Sequence, residues 1–118
     1  MLYKIKFSDK SKRDLRRISN YVEGERLEKI YQQIDKGINN LQFMPRRNKT
    51  LYSSKEPHGE YRRLISGKYI VIYQIDKDAI TILRVFNQKE NYLNLKKFIL
   101  REKFRKYYLI KSKTKSII

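Results

Sequence analysis

The sequence predicts an α+β fold: an antiparallel sheet of about four strands with an N-terminal helix hairpin packed on one face, in the order strand, helix, helix, three strands, helix. Three observations carry this. Within residues 59–92, Tyr69, Val71, Tyr73 and Ile75 alternate with Ile70, Ile72 and Gln74, and a second β-branched and aromatic run follows after Asp76-Lys77-Asp78. Upstream, Leu27, Ile30, Ile34, Ile38 and Leu41 recur at helical spacing. At the start, Tyr3, Ile5 and Phe7 alternate with Lys4 and Lys6, as a strand with one buried face does.

Each element follows from local chemistry. Residues 2–7 form the first strand, and Ser8 is placed to cap a helix over residues 9–22, with Asp9 in its first turn. That helix turns Leu15, Ile18 and Tyr21/Val22 to the core, and Lys10, Lys12, Arg13, Arg16 and Arg17 away from it. Gly24 breaks it. A second helix over residues 25–43 ends at Pro45, and its Gly37 weakens the interior by about 1 kcal/mol, which marks a close approach to a neighbour. Residues 45–58 are a polar loop, the meander follows, and a third helix is expected over residues 91–106. Residues 1–106 make a single domain, and 107–118 are a basic tail with no assignable structure.

Charge bounds the function. The 29 lysines and arginines against 12 acidic residues leave +17, an excess that self-repels and calls for a polyanionic or acidic partner such as nucleic acid, the ribosome or an acidic protein. There is no cysteine, so disulfides and thiolate metal sites are excluded, and a reducing, cytoplasmic setting fits. No apolar leader and no membrane span are expected. The only histidine is His58, beside Pro57 in the loop, where it reads as a solvated turn residue or a lone general base. A histidine triad or histidine metal cluster is thereby excluded, and four glycines form no phosphate loop; no cofactor and no metal are expected.

What remains is a set of basic, amide and phenolic groups along the meander. Arg62, Lys89 and Tyr92 are the candidate catalytic residues; Arg63, Lys68, Arg84 and Asn87 are the candidates for binding nucleic acid or another target. Arginine grips phosphate bidentately, tyrosine stacks on unpaired bases, and a lysine or tyrosine can take a 2′-hydroxyl proton without a metal. Arg84 interrupts the apolar run Ile82-Leu83-Arg84-Val85-Phe86, where an unpaired buried charge is costly, so it is expected to face an open, wet side of the sheet.

These residues resemble the RelE/ParE superfamily, the toxins of type II toxin–antitoxin modules. The matching features are Arg62-x-Leu64, Tyr69-x-Val71-x-Tyr73, Ile82-x-Arg84-Val85 with a polar turn and Tyr92 after it, and Pro45 at the close of the second helix, over about residues 1–100. The resemblance implies growth inhibition by ribosome-dependent mRNA cleavage, as in RelE-like members, or by poisoning DNA gyrase, as in ParE-like members. Ile70 stands where RelE-like members carry an arginine, and Tyr69-Ile70-Val71-Ile72-Tyr73 is nearer the ParE pattern. It further implies a cognate acidic antitoxin whose segment wraps the hairpin and the sheet. A non-toxic basic module for RNA or ribosomes is the alternative.

Overall fold

The computed structural model describes residues 2–53 and 60–89. The expected third helix, the basic tail, Tyr92 and His58 lie outside them. The elements are β1 (Lys4–Phe7), α1 (Asp9–Ile18), α2 (Gly24–Asn40), a 3₁₀ turn (Pro45–Arg47), β2 (Thr50–Ser53), β3 (Glu60–Ser66), β4 (Tyr69–Asp76) and β5 (Ala79–Asn87).

Strand β4 is central because it is apolar on both faces. Its Tyr69, Val71, Tyr73 and Ile75 join Ile80, Ile82 and Val85 of β5 in one core, closed by Ile18 of α1 and by Ile34, Ile38 and Leu41 from α2 and the turn after it. Ile80 and Ile82 are completely buried, and each contributes about 1.5–3 kcal/mol by leaving water. Ile70, Ile72 and Phe86 form a second buried cluster, with Leu51 and Leu83 packed against it. Both faces of β4 are therefore lined by buried apolar residues.

Among the described residues the sheet has five strands in the order β1-β5-β4-β3-β2. The fifth, β2, falls in the stretch expected as a loop and pairs antiparallel with β3, with a register shift between Thr50 and Tyr52. Its apolar residues Leu51 and Tyr52 are adjacent between polar neighbours and show no period of two, so this strand was hidden. The sheet is also mixed: β1 runs parallel to β5, Lys4 opposite Ala79 and Phe7 opposite Ile82. Strand direction is not written in a strand's own residues; it follows from the crossover that returns the chain.

Helix α1 is shorter than its periodicity suggests. It is capped as expected, the Ser8 hydroxyl accepting from the Ser11 N–H at 3.0 Å. It stops at Ile18 because Ser19 and Asn20, weak helix formers, bond back to the carbonyls of Arg16 and Arg17 in tight turns. Gly24, at φ +65°, then reverses the chain into α2. Gly37 does mark a close approach: a Cβ there would stand 3.0 Å from Leu64 Cδ2.

β1 covers only the first half of β5, and α1 takes over the exposed edge beyond it. The Ser8 N–H donates to the Ile82 carbonyl at 2.9 Å. The Ser8 hydroxyl donates to the Leu83 carbonyl at 2.8 Å, and Asp14 Oδ2 accepts from the Val85 N–H at 2.9 Å. Polar groups that a further strand would have bonded are thus satisfied by one helix.

Candidate functional site

The candidate residues separate toward two ends of the sheet. At one end is Arg62. Its Nε donates to Glu60 Oε2 at 3.1 Å, its Nη2 lies 3.0 Å from the same oxygen, and its Nη1 donates to the carbonyls of Arg46 and Asn48. Arg46 holds the other Glu60 oxygen at 2.8 Å and donates to the Tyr3 hydroxyl at 2.7 Å. Tyr73, completely buried beneath this network, donates its hydroxyl to the Pro45 carbonyl and accepts from Asn48 Nδ2 at 3.1 Å. Burial raises the Tyr73 pKa, partly opposed by the Asn48 hydrogen bond and the Arg62 charge. Arg62 thus ties the 3₁₀ turn to the sheet.

Glu60 is the hinge of that network. Burial alone would raise its pKa, but the hydrogen bonds and charges of Arg46 and Arg62 outweigh it, and the net shift is downward. A carboxyl that titrates lower folded than unfolded stabilises the fold at neutral pH, and that contribution is lost as pH falls through the carboxylate range toward the folded value. Glu60→Gln removes this dependence. Urea titrations between about pH 6 and pH 3 should show a smaller acid-induced loss in Glu60→Gln than in the parent chain; equal losses would refute the assignment.

At the other end, Lys68, Asn87 and Lys89 come together. Asn87 closes the β4–β5 ladder opposite Tyr69, and its Oδ1 accepts from the Lys89 N–H at 2.9 Å. Gln88 binds the β3–β4 turn through the Lys68 carbonyl at 2.6 Å and the Gly67 carbonyl at 2.7 Å. Lys68, Asn87 and Lys89 line a cleft of about 580 Å³ whose opposite wall is the helix hairpin, with Arg17, Tyr21 and Arg26. Its floor is apolar, including Ile18, Val22 and Val85. Sequence reasoning left Arg17 among the outward cations of α1, set Tyr21 in its apolar stripe and gave Arg26 no role. The available signal was a tyrosine beside the helix break; it is 76% exposed.

Arg62 pairs across the ladder with Tyr73, and Asn87 with Tyr69; these lie four residues apart on β4, about 13 Å of strand. Arg62 and Lys89 do not share a site. Arg63 faces away from the helices opposite Ile72, with its N–H on the Lys49 carbonyl at 3.2 Å.

Arg84 does not point to open solvent. Its register is also opposite Ile72, its guanidinium lies 4.5 Å from the Phe86 ring centre, and it reaches the sheet edge to bind Asp14 with Nε at 2.7 Å and Nη2 at 3.2 Å. The sequence offered no sign of this, because a carboxylate in a charged helix reads as surface.

A separate apolar groove of about 350 Å³ lies between Phe7, Leu15, Tyr31, Ile34 and Ile38. Among the described residues no helix is long and apolar enough to cross a membrane, and no group of three or more His, Cys, Asp or Glu is placed to hold a metal ion.

Comparison with known proteins agrees with the fold. The chain is similar to a structure of the chromosomal ParDE toxin–antitoxin system of P. aeruginosa, at 21% identity over 73% of this chain and 96% of that one, with a TM-score of 0.56. It is similar to the archaeal RelE–RelB complex of Pyrococcus horikoshii, at 16% identity over 76% and 99% of the chains, with a TM-score of 0.51. A conserved Helicobacter pylori protein solved in solution gives 18% identity, 78% and 100% coverage, and a TM-score of 0.51. No individually curated protein sequence matches significantly. At the level of families, the model for the "ParE toxin of type II toxin-antitoxin system, parDE" matches residues 5–92. That span holds all the described strands but the first residue of β1, both helices and the cleft, and the chain belongs to this ParE family of type II toxin–antitoxin toxins.

Proposed function

We propose that this toxin arrests growth by inhibiting DNA gyrase in the cytoplasm, and that a cognate acidic antitoxin neutralises it. The observation that carries the gyrase reading is the state of Arg62. The arginine that RNA cleavage would need for transition-state charge is occupied by Glu60 and two carbonyls, toward the opposite end of the sheet from Lys89. Stabilising a crowded phosphate requires donors preorganised around it, and these two cations are not. The ParE family match and the ParE-like Tyr69-to-Tyr73 run support the same side.

Ribosome-dependent mRNA cleavage is the second reading, favoured by the convergence of Lys68, Asn87 and Lys89 at the end of β5, shortly before Tyr92 in the sequence. For the antitoxin, the apolar groove on the hairpin suits an amphipathic segment, and +17 steers an acidic one toward it.

The test is to express the chain alone and then assay purified protein on both machines. The expected result is growth arrest, loss of gyrase supercoiling, and intact mRNA on programmed ribosomes. Ribosome-dependent cuts with normal supercoiling would transfer the assignment to cleavage, while full growth with abundant soluble protein would overturn the toxin mechanism altogether.

A further inference from the structure

The cleft between the hairpin and the β3–β4 turn is more than a gap in packing. Its two walls carry four cations, Arg17 and Arg26 on the helical side and Lys68 and Lys89 on the sheet side, all exposed. Among the described residues the one carboxylate lining it, Asp14, is 3% exposed and already answered by Arg84. Cations on both sides of an apolar-floored concavity focus the field into it, so the site is stronger for an anion than the same charges spread on a convex surface.

Charge alone does not distinguish a phosphate chain from an acidic peptide; the neutral groups do. Tyr21 stands at the rim with 76% of its surface exposed, a solvation cost that an aromatic ring recovers by stacking on a flat partner. Gln33 places an amide, which both donates and accepts, along the lining. Carboxylates need donors only, whereas nucleobase edges present donors and acceptors together. A cleft of about 580 Å³ has room for unpaired nucleotides and is too small to enclose a duplex.

The geometry points to a binding site for single-stranded nucleic acid in this cleft, with Arg17, Arg26, Lys68 and Lys89 along the phosphates and Tyr21 under a base. This goes beyond the gyrase reading and does not rest on it.

Fluorescence anisotropy with a labelled twelve-nucleotide oligo-dT and the purified full chain tests it without gyrase or ribosomes. Reversing Arg26 and Lys68 together (Arg26→Glu, Lys68→Glu) should weaken binding more than about tenfold and flatten the log-affinity against log-salt slope by about 1.4, two phosphates' worth for a single strand. Tyr21→Ala should weaken binding at least about fivefold with the slope unchanged, since stacking releases no counterions. The control is Arg47→Glu with Lys49→Glu, two exposed residues beside the Arg62 network; it changes net charge equally and should stay within about twofold. Equal weakening by control and cleft variants would reduce the effect to overall charge. Loss of binding only in the charge variants, with polyglutamate displacing the oligonucleotide and Tyr21→Ala inert, would reassign the cleft to an acidic peptide. Absence of oligo-dT binding by the parent chain overturns the proposal. Thermal melting of each variant separates lost binding from lost fold, and Arg26→Gln with Lys68→Gln repeats the experiment without charge reversal.

Discussion

Asp14→Ala is expected to destabilise the protein by about 3 kcal/mol, because it removes the acceptor for a buried backbone N–H and strips Arg84 of its counter-charge in one step. For a domain of this size that corresponds to a fall in Tm of roughly 12–24 °C. The reasoning is about an edge. Among the described residues no strand continues beside β5 beyond Ile82 on the β1 side, and α1 substitutes for one with the Ser8 cap and the Asp14 carboxylate. Asp14→Asn keeps an acceptor for Val85 and should lose about half as much. A double-mutant cycle with Arg84→Met should return a coupling above about 0.5 kcal/mol, as contacting partners do. Urea unfolding supplies all four free energies. An Asp14→Ala chain within 0.5 kcal/mol of the parent, an order-of-magnitude surface effect, would mean that water serves the edge as well as the carboxylate does.

The second large effect is at Tyr73. Truncation to alanine empties the centre of the core at a residue with no exposed surface and should cost about 3–5 kcal/mol. Tyr73→Phe isolates the hydroxyl. It leaves the Pro45 carbonyl and Asn48 amide without their partner, for an expected loss of about 1–3 kcal/mol. Guanidinium denaturation separates the two. If Tyr73→Phe matches the parent, the 3₁₀ turn is held by the Arg46, Glu60 and Arg62 network, and the phenol is only a filler of space.

The core was legible in the sequence because its signals are periodic and redundant. The alternation along residues 69–75 assigned the two faces of β4 correctly, and the helical spacing from Leu27 to Leu41 named the stripe that covers one of them. Ser8 was readable as a cap because capping is local chemistry. That Lys68, Asn87 and Lys89 lie together was readable too, because they sit at or just past strand ends, and a meander with tight turns brings such positions to one end of the sheet.

Other features depended on groups far apart in the chain. Arg84 reads as an unsatisfied charge until α1 brings Asp14 to it, and Arg62 reads as available until the 3₁₀ turn and Asn48 after it supply two carbonyls. Glu60 was the exception, since residues two apart on a strand share a face and their pairing with Arg62 was open to inspection. Arg17, Tyr21 and Arg26 belong to the helix hairpin, and only its docking turns them into the wall of a cleft.

By itself, then, the sequence determined the strands β3 to β5, the hairpin and the +17 charge. Only the tertiary structure decided that β1 runs parallel beside β5, that β2 completes the sheet, and that Arg62 and Arg84 have partners within the fold. It also decided that four cations face one another across a single cleft. The physical reason is the range of the interactions. Periodicity and capping act within a few residues, whereas ion pairs and clefts are made by atoms that meet only after the chain has closed on itself.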